Sequence, residues 1–171
     1  MKKKFLLGIM TIIVLAVVLI GYGYCNLKSN SVYYAKHTPH KEGTEPVLMM
    51  LVDNLYWVYN PDIDGIEYDF DGGHVIYNNN FKLEDVPWFA SHGGEAYDYG
   101  SNGYKSYSFN SDFKLTYCID RRDGEIDIKN VDVEEVKKEI YKIVQPVIDE
   151  QTKPLINLQW IFDRVYRDKF N

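Results

Sequence analysis

Cysteine is scarce in this chain of 171 residues: Cys25 and Cys118 are the only two, too few for the disulfide framework of a small secreted domain. Catalytic signatures are missing as well. There is no Gly-x-Ser-x-Gly elbow for a serine nucleophile and no glycine-rich loop of the P-loop or dinucleotide-binding type. Cys118 lies in a strand pattern two residues from Asp120, whose charge opposes thiolate formation, so a Cys/His nucleophilic pair is not expected. Basic residues are outnumbered, 19 Lys and Arg against 25 Asp and Glu, for a net charge of −6. No internal repeat or low-complexity segment stands out.

Carboxylates, amines and guanidinium groups are also absent between Phe5 and Leu27, directly after the basic flank of Lys2, Lys3 and Lys4. About 20 apolar residues cross the roughly 30 Å of a bilayer's hydrocarbon as a helix, and "LLGIMTIIVLAVVLIGYGYC" (Leu6 to Cys25) is long enough. It exceeds the apolar core of about 7 to 15 residues found in cleaved signals, and Gly21 with Gly23 only loosely imitates a cleavage spacing. Tyr22, Gly23 and Tyr24 do not match the small residues that precede a lipidated cysteine. The expectation is an uncleaved anchor over residues 5–24, with a signal sequence as the alternative. Tyr22 and Tyr24 suit an interfacial aromatic belt, and the positive-inside rule puts residues 1–4 in the cytoplasm and the remainder outside. That outer part holds 16 basic and 25 acidic residues, a net −9, which argues against nucleic acid or anionic headgroups as its partners.

Residues 25–44 mix small, polar and basic side chains without a sustained period and read as a spacer. The remaining 45–171 suit one domain. Leu48, Leu51, Val52, Leu55 and Tyr59 recur at helical spacing, which predicts a helix over 45–58 with Thr44 as N-cap and Pro46 in the first turn. From Pro61 to Asn130 the pattern is β. "GIEYDF" and "HVIYNN" form a hairpin around Asp71, Gly72 and Gly73; "VPWFASHGGEAYDYGSNG" holds at most one short strand near Ala96 to Tyr99. In "FKLTYCIDRRDGEIDI" strict alternation puts Phe113, Leu115, Tyr117 and Ile119 on the core face, with Thr116, Cys118 and Asp120 outward. After the "RRDG" turn, Ile126 and Ile128 continue the buried row while Glu125 and Asp127 point out. Asp132 and Glu135 make a capping box ahead of Val133, Val136, Ile140 and Val144, in a helix that Pro146 kinks or ends. Leu155, Leu158, Phe162, Val165 and Tyr166 form a last amphipathic stripe. The expected class is α+β, an antiparallel sheet with helices packed on one face, preceded by a transmembrane helix.

Few constellations point to chemistry. Asp62, Asp64, Glu67, Asp69 and Asp71 cluster around glycines, but the EF-hand register fails, with Glu67 where position six needs glycine. His37 and His40 are separated by Pro39, which denies them a chelating helix. His74, His92 and Glu95 border the "GGH" and "HGGE" strings and are the candidates if a surface metal-dependent hydrolase is considered. Asp120 and Asp127 could meet across a hairpin as an acid/base pair. The expectation is nevertheless a binding protein with no cofactor, metal or catalytic residue. Thr116, Asp120, Glu125 and Asp127 share the predicted outward face, and Tyr97, Tyr99, Tyr104 and Tyr107 lie in neighbouring segments, where tyrosine serves interfaces well.

A lysine-led anchor, an outer domain of this size and strand runs such as "FKLTYCIDRRDGEIDI" resemble the TipC-type immunity proteins. Those proteins sit on the outer surface of Gram-positive cells and neutralise LXG toxins delivered by type VII secretion. The resemblance implies a membrane-held protein that covers a toxin's active site with an acidic sheet face, which Asp120, Glu125 and Asp127 would supply, against a partner with a basic patch. A subunit of a cell-envelope or secretion complex is a further alternative.

Overall fold

Helix α1, Lys2–Ser29, continues through the uncharged run without a break. Its stretch Leu6–Ser29 is long and apolar enough to cross a membrane. The computed structural model describes residues 2–70, 74–80, 86–101 and 104–171, and the hairpin turn expected at Asp71, Gly72 and Gly73 lies outside them. After α1 come α2 (Ser31–Ala35), α3 (Pro46–Asp53) and seven strands: β1 (Ile66–Asp69), β2 (His74–Asn78), β3 (Trp88–Ser91), β4 (Ala96–Ser101), β5 (Lys105–Asn110), β6 (Leu115–Asp120) and β7 (Gly124–Glu125). A 3-10 turn at Ile128–Asn130 leads to α4 (Val133–Asp149) and α5 (Gln159–Phe170). The architecture is α+β, as expected.

The strands pair in sequence order, each antiparallel to the one before. Helices α3 and α4 lie across β2 and β3, so that Leu51, Ile140 and Val144 meet Ile76, Phe89, Tyr97 and Phe109 in one buried cluster. Helix α4 starts as its capping box predicts, with the Asp132 carboxylate accepting from the Glu135 amide at 3.1 Å. It runs past Pro146 to Asp149. Pro146 is on the exposed side, where the carbonyl that loses its donor turns to solvent.

Four expectations are corrected. Residues 25–44 are not a spacer: Val32, Tyr34 and Ala35 are core residues. The Tyr34 hydroxyl donates to Asn26 Oδ1 at 2.6 Å and accepts from the Leu158 amide at 3.0 Å, tying the end of α1 to the entry of α5. Helix α2 is too short for a hydrophobic period to show in sequence. Second, α3 stops at Asp53 because Asn54 closes it, its amide and its side chain both donating to Met50 O at 3.2 Å. Thr44 does not cap it; its hydroxyl donates to Lys41 O at 2.7 Å. Third, "WFASHGGEAYDYGS" carries two strands, joined by a turn in which Gly93 and Gly94 take φ of 66° and 80°, open to glycine without Cβ cost. Fourth, α5 turns Leu158, Phe162, Tyr166 and Phe170 inward but leaves Leu155 and Val165 exposed.

The alternation expected through β6 also fails, for a local reason. Phe109 pairs with Leu115, yet Ser108 pairs with Tyr117, so Thr116 is an extra residue in a β-bulge. One inserted residue reverses the facing of everything beyond it. Leu115 stays inward, while Tyr117 becomes 40% exposed, Cys118 fully buried and Asp120 only 9% exposed. The buried row does not continue to Ile128 either, which lies exposed in the 3-10 turn. The Tyr34 bonds give a check on the corrected boundary. Tyr34→Phe leaves buried polar partners unpaired and should lower stability by about 1–3 kcal/mol in urea unfolding of the full chain in detergent; an unchanged midpoint would return residues 25–44 to a spacer.

Candidate protein-binding face

The strand register sorts the sheet into two faces. Ile66, Ile76, Phe89, Tyr97, Phe109 and Cys118 point at the helices and join the core. The opposite face is carried by Glu67, Tyr77, Trp88, Gly100, Ser106 and Ile119 along one row of pairs and by Asp69, Val75, Ala90, Asp98, Ser108 and Tyr117 along the next. Glu125 extends the first row opposite Ile119. None of the described helices packs on this face, and Ala90, although buried, is outside the core cluster.

Its chemistry is one-sided. Four carboxylates, Glu67, Asp69, Asp98 and Glu125, occupy strand positions on it, and no described strand position on it is a lysine or arginine. Glu67 and Asp98 are held in place. Glu67 accepts from the Tyr77 hydroxyl at 2.6 Å and from the Asn79 amide group, and Asp98 is 2.8 Å from His92 Nε2. Small residues, Ala90, Gly100, Ser106 and Ser108, floor the middle. The Trp88 indole lies on Gly100 where any Cβ would overlap it, which is why this position is glycine. Trp88, Tyr77 and Tyr117 thus border a smooth centre with apolar area and hydrogen-bonding tips.

The eight residues expected to form a binding face do not share one. Thr116, Glu125 and Asp127 are exposed, but Asp127 caps the 3-10 turn, accepting from the Lys129 amide at 3.0 Å, and does not meet Asp120. Tyr97, Tyr99 and Tyr107 are buried under the helices. Tyr97 donates to Asp53 at 3.0 Å and Tyr99 to Glu139 at 3.1 Å. Asp120 is also on the covered side, accepting from the Arg122 amide at 2.8 Å. Tyr104 lies beneath the Arg122 guanidinium, 3.3 Å from the ring centroid. Asp120, Tyr104 and Tyr107 instead line a polar cleft of about 270 Å3 with Lys105, Arg122 and Glu139, in which both charge signs are matched. Glu67, Asp69, Asp98, Tyr77 and Trp88 were the residues missed. Their cue was present in sequence, since acidic and aromatic residues alternate with the buried Ile66, Ile76, Phe89 and Tyr97.

The remaining reactive side chains among the described residues do not converge. His74 places Nδ1 on Val52 O at 2.8 Å on the helix side, while His92 faces Asp98 on the other. His37 and His40 each bond a nearby backbone carbonyl, Tyr33 O and Thr38 O. Among the described residues no three His, Cys, Asp or Glu side chains are grouped as metal ligands. The Cys118 thiol is pushed up by burial and further by Asp120, with Lys105 opposing, which disfavours the thiolate a nucleophile needs. No family model, no curated protein and no solved structure matches this chain.

Two outcomes follow from this placement. Burial pushes the Tyr68 phenol up to about 12 and raises Tyr97, Tyr99, Tyr107 and Tyr141 in the same direction. Above pH 10 the unfolded chain loses these protons and the folded chain keeps them, so stability present below pH 10 is lost as pH rises toward 12. Absorbance of tyrosinate at 295 nm should therefore rise together with loss of the fold, and free titration of all tyrosines in a folded chain would contradict it. Separately, Asp120→Lys should destabilise by about 1–3 kcal/mol because it buries an unpaired amine, whereas Glu125→Lys should stay within about 0.5 kcal/mol, both read by urea unfolding.

Proposed function

We propose that this chain is a membrane-anchored immunity protein. In this reading α1 crosses the membrane once, with the lysine tail inside and the folded part outside, and the uncovered sheet face binds a secreted antibacterial toxin and covers its active cleft. The observation that carries it is the asymmetry of the sheet: one face is consumed by the core, and the other presents Glu67, Asp98 and Glu125 around a floor of small residues, with no lysine or arginine at any described strand position on it. A face of that kind suits a partner with a basic patch. Carboxylates steer encounter, and Trp88, Tyr77 and Tyr117 supply the large side chains on which binding energy concentrates. An acidic sheet face is what the TipC resemblance implies, carried here by Glu67, Asp69, Asp98 and Glu125 in place of the Asp120, Glu125 and Asp127 row.

The test is to expose the full chain in lipid nanodiscs to the proteins secreted by its source cell and to identify what is retained. Support requires a retained protein that kills susceptible cells and is neutralised by co-expression of this chain. The double substitution Asp98→Lys with Glu125→Lys should weaken that binding at least about tenfold, or 1.4 kcal/mol, and raised salt should slow association while the fold stays intact. Retention of integral membrane proteins alone would favour a subunit of an envelope complex. Binding indifferent to both substitutions would remove the sheet face from the reading.

A further inference from the structure

Soluble surfaces rarely gather large apolar side chains, yet this domain does so beside its membrane helix. Leu155 is fully exposed, Ile156 and Val165 more than half, and Trp160 69%. All four come from the turn before α5 or from α5 itself. This surface is joined to α1: Ile156 O accepts from Asn26 Nδ2 at 3.2 Å. Ile161 and Val165 face Leu19, Ile20, Gly23 and Tyr24 across an apolar groove of about 490 Å3.

The length of α1 sets the depth. A span of about 20 residues starting at Leu6 ends at Cys25, so Leu19 lies six residues, or about 9 Å, inside its end. Side chains placed against Leu19 and Ile20 are then level with lipid acyl chains rather than water. We propose that α5 and the turn before it rest in the bilayer interface as a second membrane contact, with Leu155, Ile156, Trp160 and Val165 at the boundary of headgroups and acyl chains and lipid chains filling the groove beside α1. An amphipathic helix lies in the interface in this manner, its apolar side about 5–10 Å deep, and tryptophan favours that level. The charges around the patch agree. Lys153, Arg164 and Arg167 are exposed in this stretch, and of the two carboxylates of α5 Asp168 is exposed and Asp163 half-buried, so the acidic balance of the whole chain does not apply locally and phosphate groups find cations. Trp57, edge-on to Tyr24 with ring centroids 5.7 Å apart, extends the aromatic surface beside α1.

The inference rests on α1 being retained as a membrane anchor and not on what the sheet face binds. The test uses the full chain in nanodiscs of phosphatidylcholine and phosphatidylglycerol, with Cys25→Ser, the buried Cys118 left in place, and nitroxide labels at Leu155→Cys, Trp160→Cys or Val14→Cys. Leu155 and Trp160 make little packing contact, so their substitution leaves folding undisturbed. Labels at 155 and 160 should relax more with oxygen, which partitions into lipid, than with a water-soluble nickel chelate. The reverse order at both, with the Val14 label still in hydrocarbon, would overturn the second contact and leave the anchor standing. A Val14 label reached by the chelate would overturn both.

Discussion

The Asp53 carboxylate is the bond point on which the layers depend. It sits at the end of α3 with its side chain 10% exposed and receives three donors: Ser91 Oγ at 2.5 Å, the Tyr97 hydroxyl at 3.0 Å and Lys169 Nζ at 2.6 Å. A buried carboxylate is tolerated only when its lone pairs are filled and its charge is matched. Here that requirement brings α3, β3, β4 and α5 to one place. Gly94 serves the same point, since its amide donates to Ser91 Oγ at 3.1 Å and a Cβ there would crowd Lys169 and Asp53. The "HGGE" string is therefore a packing device rather than a ligand loop. Ile161, Val165 and Tyr166 of the same helix stand beside α1.

The heavy use of tyrosine follows from the same layer geometry. Tyr97 reaches Asp53, Tyr99 reaches Glu139 and Tyr141 reaches Glu45 at 3.0 Å. The Tyr97 and Tyr99 rings stand between sheet and helices, the Tyr141 ring between α4 and the start of α3, and each hydroxyl ends on a carboxylate. Phenylalanine would fill the space but take one donor from each carboxylate. Tyrosines that look like interface residues in sequence thus serve as struts, and the opposite sheet face keeps its own set, Tyr77 and Tyr117, beside Trp88.

Under the two proposals this division separates two jobs. Helices α3 and α4 take one face of the sheet, which leaves the acidic face open, and α1 with α5 occupies another side of the domain. A partner on the sheet and a membrane at α5 need not compete, because the elements concerned are different. The sheet face has charge and small floor residues; the α5 surface has exposed aliphatic chains with basic neighbours.

Much of the fold was legible in sequence where one signal dominated. The uncharged run after three lysines forms a helix long and apolar enough to cross a membrane, a property set by its length and composition alone. The capping box at Asp132 and Glu135 and the stripe from Val136 to Val144 depend only on neighbours along the chain, and both appear as read. What only the tertiary structure decided is facing. The bulge at Thr116 arises from pairing with β5, leaves no mark in "FKLTYCID", and turns Asp120 from an outward carboxylate into a covered one. The same holds for Tyr34, whose five-residue helix has no readable period but whose hydroxyl bonds residues more than a hundred positions away. Sequence carries local length, composition and capping; which side of a strand meets the core depends on register against a neighbour, and register is a property of the assembled sheet.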